Sequence, residues 1–181
     1  MKSYALDIQQ INMLDQGIWT IGKMFDTLDF KEIVNEVLAV PDGSYMPSVA
    51  NPTTRHELTW AKDGILENLW ETLKHTGSLV SDIIGKPVRF GQVRVWKDLE
   101  GFRIPFHEDD QSSVAHIQIY LSGGSQDIGT TWYTTKGRVS LPFNPNTGYL
   151  TVCDYRLPHG MLAPVQGQTR YSLYATFAKE S

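Results

Sequence analysis

Cysteine is nearly absent from this chain. Cys153 is the single one among 181 residues, so no disulfide can form within it. It ends the run Tyr149-Leu-Thr-Val-Cys153, and an apolar strand of that kind implies a buried thiol rather than a reactive one. Positive charge is also in deficit. Sixteen Lys and Arg face twenty Asp and Glu, a net of −4, which argues against nucleic acid as a partner. No apolar run is long enough to span a bilayer, and Met1-Lys-Ser-Tyr lacks the regions of a secretory signal. A reducing cytoplasm is the expected setting. Internal repeats, low-complexity tracts and linkers are missing. The loop at 122–129 contains Gly-Gly-Ser, yet no Lys-Ser/Thr follows to make a phosphate-binding loop, so it reads as a flexible connection near a pocket mouth.

What remains is an ordinary globular composition, 41% hydrophobic and 20% charged, over a length that suits one domain, 1–181. Five Trp, eight Tyr and seven Phe lean toward sheet. The region 1–86 reads as a mostly helical support. A first strand falls at 16–21, and a helix over 29–38 has Asp29 as its cap and Pro41-Asp42-Gly43 as its stop. A loop covers 44–56. A second helix spans 60–73 with Ile65, Leu66, Leu69, Trp70 and Leu73 on its core face, and Gly77 ends it before a short helix at 78–84. After Lys86-Pro87 the pattern changes. Strands at 88–96, 114–121, 130–134, 138–141, 148–153 and 170–177, separated by Gly, Pro and Asn, form a catalytic core over 87–181. The class is α+β, mainly β: a sandwich or jelly roll with helices packed on one sheet.

The chemistry concentrates in His107-Glu108-Asp109, Pro158-His159-Gly160 and Thr169-Arg170-Tyr171-Ser172. In an extended segment, side chains at i and i+2 point the same way, so His107 and Asp109 can share one metal ion while Glu108 points away. His159, 52 residues further on, completes two neutral nitrogens and one anionic oxygen. That set can hold Fe(II) on one face of an octahedron and leave three positions open, although Zn or Ni also accept such ligands. Arg170 offers a two-pronged cation for a carboxylate, and Ser172 lies on the same strand face. In 116–121, alternation puts His116, Gln118 and Tyr120 on one face and Ile117, Ile119 and Leu121 on the other. The apolar face packs in the core, which frees the polar face to line a cavity.

In order and spacing these residues resemble the 2-oxoglutarate- and Fe(II)-dependent dioxygenases, most closely the compact prolyl-hydroxylase-like branch. The similarity covers about residues 90 to 178. It includes the approach Trp96-Lys-Asp-Leu-Glu-Gly-Phe102, the stretch from Gly148-Tyr-Leu to Pro158-His159-Gly160, and Gly167-Gln-Thr-Arg170-Tyr-Ser172. The resemblance implies a cupin-like double-stranded β-helix with His107, Asp109 and His159 on Fe(II). Arg170 and Ser172 would meet the 5-carboxylate of 2-oxoglutarate. Tyr120-Leu-Ser resembles a family Tyr-Leu-Asn whose tyrosine contacts 2-oxoglutarate, and Gln118 would line the same pocket. His116 reads as a hydrogen-bonded support or core histidine rather than a fourth ligand. The implied reaction consumes O2 and 2-oxoglutarate, releases succinate and CO2, and hydroxylates a C–H bond of a prolyl or other amino-acid residue. A peptide, amino acid or small molecule would be the substrate partner, with no membrane involved.

Two other readings stand beside it. A demethylase of alkylated bases would carry a second arginine on the strand of Arg170, and 171–177 has none. A non-catalytic jelly-roll binding module would have no need of the distant arginine. His56 and His75 read as surface residues, and Arg55, Arg94, Arg103 and Arg156 as solvated cations. Trp132 and Tyr133 fit either a barrel wall or a substrate platform.

Overall fold

The computed structural model describes residues 2–59, 64–109 and 111–180. Strand β1 (Leu6–Asp15) turns at Gly17 into β2 (Ile18–Phe25), and helix α1 (Thr27–Ala39) follows. Short strands β3 (Met46–Pro47) and β4 (Arg55–Leu58) precede helices α2 (Ile65–Leu73) and α3 (Gly77–Ile84). The remainder is β5 (Val88–Asp98), β6 (Ala115–Ser122), β7 (Thr130–Thr134), β8 (Gly137–Leu141), β9 (Gly148–Val152), β10 (His159–Gly160) and β11 (Arg170–Lys179). Eight strands form one sheet in the order β1-β2-β9-β6-β11-β5-β4-β3, and β10-β7-β8 form a second. Every pairing is antiparallel. The chain is thus mainly β with few helices, as expected.

Alternation along the central strands sorts the interior into two cores. On one face of the large sheet, Val93 and Val95 of β5, Ile117, Ile119 and Leu121 of β6, Leu150 of β9 and Leu173 and Ala175 of β11 meet the helices. There they pack with Ile33 and Val37 of α1, Leu66, Leu69 and Leu73 of α2 and Val80 of α3. The other face looks toward the small sheet, where Tyr120, Tyr149, Trp132, Phe143, Met161 and Phe102 form a second, aromatic cluster. Both faces of β6 are therefore buried, and its polar row lies between the sheets.

Several local expectations are corrected. The cap of α1 is Asp26, whose Oδ1 accepts from the Leu28 amide at 2.8 Å. Asp29 sits inside the helix and instead accepts from the Ala5 amide. Val40 turns extended ahead of Pro41 and ends α1. The strand expected at 16–21 runs Ile18–Phe25, and β1 precedes it as an additional edge strand whose alternation is broken at Gln9-Gln10, where Gln10 has φ +54° and the register with β2 shifts. The support region is accordingly mixed rather than mostly helical. The supposed loop at 44–56 contains β3 and the start of β4. Trp60, the expected start of the second helix, lies outside the described residues. On α2, Thr72 takes the buried place assigned to Trp70, which is half exposed. Gly77 opens α3 rather than closing α2.

Candidate active site

The polar rows of the large sheet build the site directly. Across one row, Arg55 of β4 pairs with Asp98 of β5, and Asp98 pairs with Arg170 of β11. The next row sets Trp96 beside Ser172 and Tyr120, then Tyr174 beside Gln118, then Thr176 beside His116. Between this face and the small sheet lies a cavity lined by, among others, Arg55, Arg170, Gln118, Tyr149, His116 and the metal-ligand candidates.

At one end His107, Asp109 and His159 converge. Asp109 Oδ1 lies 3.8 Å from His107 Nε2 and 3.6 Å from His159 Nε2, and the three donor atoms fall within 4.8 Å of one another. The fold, rather than a strand, delivers His107. Its amide donates to the His159 carbonyl and its carbonyl accepts from the His159 amide, both at 2.9 Å, as an isolated bridge. Each imidazole is fixed through Nδ1, which lies 3.0 Å from the Pro105 carbonyl in His107 and 3.0 Å from the Leu157 carbonyl in His159. Those contacts put the proton on Nδ1 and leave both Nε2 lone pairs for a metal. Burial holds the His159 imidazole below its ordinary pKa against the opposing pull of Asp109, which favours the neutral ligand form. Burial also opposes ionisation of Asp109. The hydrogen bond from His116 and the charges of His159, His116 and His107 outweigh it, and the carboxyl is held below its usual range.

The opposite end is cationic. Arg55 donates to both carboxylate oxygens of Asp98, at 2.6 and 2.9 Å, and its guanidinium lies between the Trp96 and Phe102 rings. Arg170 Nη1 donates to the Ile128 carbonyl at 2.5 Å and contacts Met161 Sδ at 3.2 Å. Its Nε is 3.0 Å from Asp98 Oδ2, within ion-pair distance, yet the N–H misses the oxygen and remains a buried donor without a hydrogen-bond acceptor. Two buried guanidiniums share one carboxylate, so this end carries one positive charge in excess. A buried excess charge is costly, and a second anion relieves it.

The remaining expected site residues divide. Gln118 faces the cavity. Its Oε1 accepts from the Tyr149 hydroxyl at 2.6 Å and its Nε2 donates to Ser172 at 3.1 Å. Ser172 is fully buried and anchors Gln118 instead of lining the cavity. Tyr120 is also enclosed. Its hydroxyl donates to Thr130 Oγ1 at 2.9 Å and accepts from the Thr130 amide at 3.0 Å, while its ring stacks on Phe143. The cavity-lining phenols are Tyr174 of β11 and Tyr149, which alternation along β9 would have placed there. Burial raises the pKa of Tyr149, which keeps it a neutral donor to Gln118.

Arg55 is corrected from a solvated cation to a buried one, 5% exposed. Arg94 pairs with Glu57 at 3.0 Å, and Arg103 and Arg156 are exposed. His56 is only partly exposed, whereas His75 is exposed as expected. Trp132 is enclosed as a wall, whereas Tyr133 is half exposed and packs on Phe106 with ring centres 4.7 Å apart, next to His107 in the chain. The loop at 122–129 is tightly fitted. A Cβ on Gly123, at φ +83°, would lie 1.7 Å from the Thr169 carbonyl oxygen, so only glycine lets this loop bring Ile128 onto Arg170.

Two open sheets thus face each other, with helices on the outer face of one and a two-histidine, one-carboxylate cluster between them, and solved structures of 2OG-Fe(II) oxygenases are similar to the chain in fold. An oxidoreductase of the 2OG-Fe(II) oxygenase family from Burkholderia pseudomallei superposes with a TM-score of 0.73 at 12% identity, over 99% of this chain and 96% of that one. A prolyl-4-hydroxylase from Pseudomonas putida gives 0.70 at 17% identity, over 91% and 94%. HygX from Streptomyces hygroscopicus, with nickel, 2-oxoglutarate and hygromycin B bound, gives 0.66 at 10% identity, over 91% and 83%. No family model matches the sequence, and no curated protein matches it. Among the described residues, no helix is long and apolar enough to cross a membrane.

Proposed function

We propose that this chain is a 2-oxoglutarate- and Fe(II)-dependent oxygenase that hydroxylates an unactivated C–H bond, on a prolyl or other amino-acid residue. The observation that carries the proposal is a single cavity with a divalent-cation donor set at one end and an excess buried guanidinium at the other. A dicarboxylic keto acid needs both. We also read the two facing sheets as a double-stranded β-helix within one catalytic domain.

His107, Asp109 and His159 would hold the iron, which together with 2-oxoglutarate and O2 supplies the oxidising power when bound. The residues of the chain do the rest. Arg170 binds the distal carboxylate through its guanidinium, and Asp98 and Arg55 hold that guanidinium against the cavity wall. Gln118, clamped between Tyr149 and Ser172, forms the polar side wall, and Tyr120 braces Thr130 behind it. Trp132 and Met161 keep water from the interior, while His107, more exposed than His159, marks the open side. There the Phe106–Tyr133 pair offers a flat aromatic surface on which a proline ring or apolar side chain can rest. Prolyl hydroxylases among the similar structures favour that substrate class.

The test needs no substrate. Fe(II) and then 2-oxoglutarate are added to the metal-free protein without oxygen. The proposal expects the visible band of an iron-chelated keto acid in the wild type and none in His107→Ala. A folded wild-type protein without the band removes the oxygenase reading.

A further inference from the structure

The wall that β5 and β11 present to the small sheet holds donors that nothing in the fold uses. Among the described residues, five buried side-chain polar atoms have no hydrogen-bond partner. Two of them, Arg94 Nε and Trp96 Nε1, stand two residues apart on one face of β5. Directly across from Arg94 on β11 is Tyr174. Its ring stacks on Trp96 with centres 4.2 Å apart, and its hydroxyl makes no hydrogen bond among the described residues. Trp96 and Tyr174 both line the cavity. Burial raises the Tyr174 pKa, Asp109 adds to the rise and Arg94 opposes it, so both charges reach this hydroxyl. Arg94 Nη1 also donates to Glu57 Oε2 at 3.0 Å, and Glu57 lies beside Trp96 on β4. Donors left idle in a buried place are costly, and three on one wall call for a ligand rich in acceptor lone pairs.

We infer that this wall receives the main-chain groups of a free α-amino acid, its carboxylate on Arg94, Trp96 and Tyr174 and its ammonium on Glu57. On the oxygenase reading above, on which this rests, that amino acid is the substrate. A single amide carbonyl has fewer lone pairs than the wall has donors, whereas a carboxylate has enough for all three. Arg94 favours an anion, yet Glu57 already neutralises it, so a lone carboxylate would leave a negative excess. An ammonium on the same molecule cancels that excess, and Glu57 Oε1 accepts no hydrogen bond among the described residues. The wider charge count agrees. Asp98, Asp109 and Glu57 balance Arg55, Arg94 and Arg170, and a divalent cation balances the two carboxylates of 2-oxoglutarate. The loaded site therefore suits a guest of zero net charge, which a zwitterion is. A residue within a peptide chain carries neither charged group and would leave the wall unused.

The probes are the twenty free L-amino acids and the N-acetyl amide of each, which keeps the side chain and removes both charges. Binding is measured by calorimetry on the metal-free full chain and on the anaerobic chain loaded with Fe(II) and 2-oxoglutarate. In both states at least one free amino acid should bind about tenfold or more tighter than its capped form, as expected for charged hydrogen bonds. Arg94→Gln should erase that margin and leave half-saturation by 2-oxoglutarate unchanged. Should Arg94→Gln fail to fold, as judged by circular dichroism, Tyr174→Phe takes its place. It keeps the stacked ring, removes one donor and should cut the margin about threefold or more. An Arg94 that only braces β4 against β5 would lower the melting temperature of its variant and leave the margin intact, which overturns the assignment. No preference for any free amino acid in either state overturns it as well. Failure of the oxygenase reading looks different: the keto-acid band is absent while a free amino acid still binds the metal-free chain.

Discussion

The two ends of the cavity are built by opposite means. The metal end brings three imidazoles around one carboxylate, with His107 partly open to solvent, and the His107 and His159 rings are held by backbone carbonyls. The arginine end is a row of charges straight across three strands, nearly dry, in which Asp98 is fully buried and Arg55 and Arg170 almost so. At the metal end, the single carboxylate is partly exposed and set among imidazoles. At the arginine end, charge is part of the core, and most of it is already neutralised. Stability and binding are therefore expected to separate. Losing a residue from the metal end should cost function with little cost to the fold, and losing Asp98 should cost the fold itself.

The largest effect is expected from Asp98→Ala. Two buried guanidiniums then lose their shared partner, and breaking a buried pair in that way costs about 3–5 kcal/mol. In a protein of this size that is roughly 6–20 °C of melting temperature. A shift under about 2 °C would show that the row is solvated and would undo the contrast. Next comes Asp109→Ala, which should weaken divalent-metal binding at least about 100-fold and abolish turnover while the melting temperature holds. Calorimetry on the metal-free protein checks both halves. Arg170→Ala leaves the Arg55–Asp98 pair intact and neutral. It should raise the 2-oxoglutarate concentration for half-saturation about 10- to 100-fold, as expected for one or two charged hydrogen bonds, with a smaller stability loss than Asp98→Ala. Arg55→Gln touches no ligand in this account but removes the excess positive charge. A loss of about tenfold in 2-oxoglutarate affinity is expected, and unchanged affinity would show that the excess charge is not what attracts the anion.

The smallest effect sharpens the metal end. Burial depresses the pKa of His159, so in the metal-free protein the unfolded chain binds more protons than the folded one below about pH 6.5. Stability should be intact above that pH and fall as pH drops toward the folded value, with depressed Asp109 adding a further loss at more acid pH. Urea midpoints at pH 7.5 and 5.5 should differ less in His159→Gln than in the wild type. Equal differences would remove the role given to this imidazole.

Much of the metal end was legible in the sequence, and the reason is local. His107 and Asp109 stand two apart, His159 follows in a compact Pro-His-Gly, and alternation in β6 separates Ile117, Ile119 and Leu121 from His116 and Gln118 without reference to the rest of the fold. The arginine end was only half legible. Arg170 belongs to a motif, but Arg55 and Asp98 are 43 residues apart and meet only through the β4–β5 register. Strand β4 is four residues long beside a Pro-rich stretch, too short to show a period. Tyr120 was placed on the correct face and still missed the cavity, because a face does not say how far along the sheet the cavity extends. Thr130 on β7 takes up its hydroxyl first.

The central claim is that both ends grip one molecule, and a comparison of two ligands tests it most directly. Binding of 2-oxoglutarate and of 2-oxopentanoate, which keeps the chelating keto acid but lacks the distal carboxylate, is measured on the anaerobic iron-loaded protein and on Arg170→Ala. The account predicts that the wild type prefers 2-oxoglutarate by about tenfold or more, and that the variant binds the two nearly alike. An undiminished preference in the variant would mean that the arginine end does not hold the co-substrate.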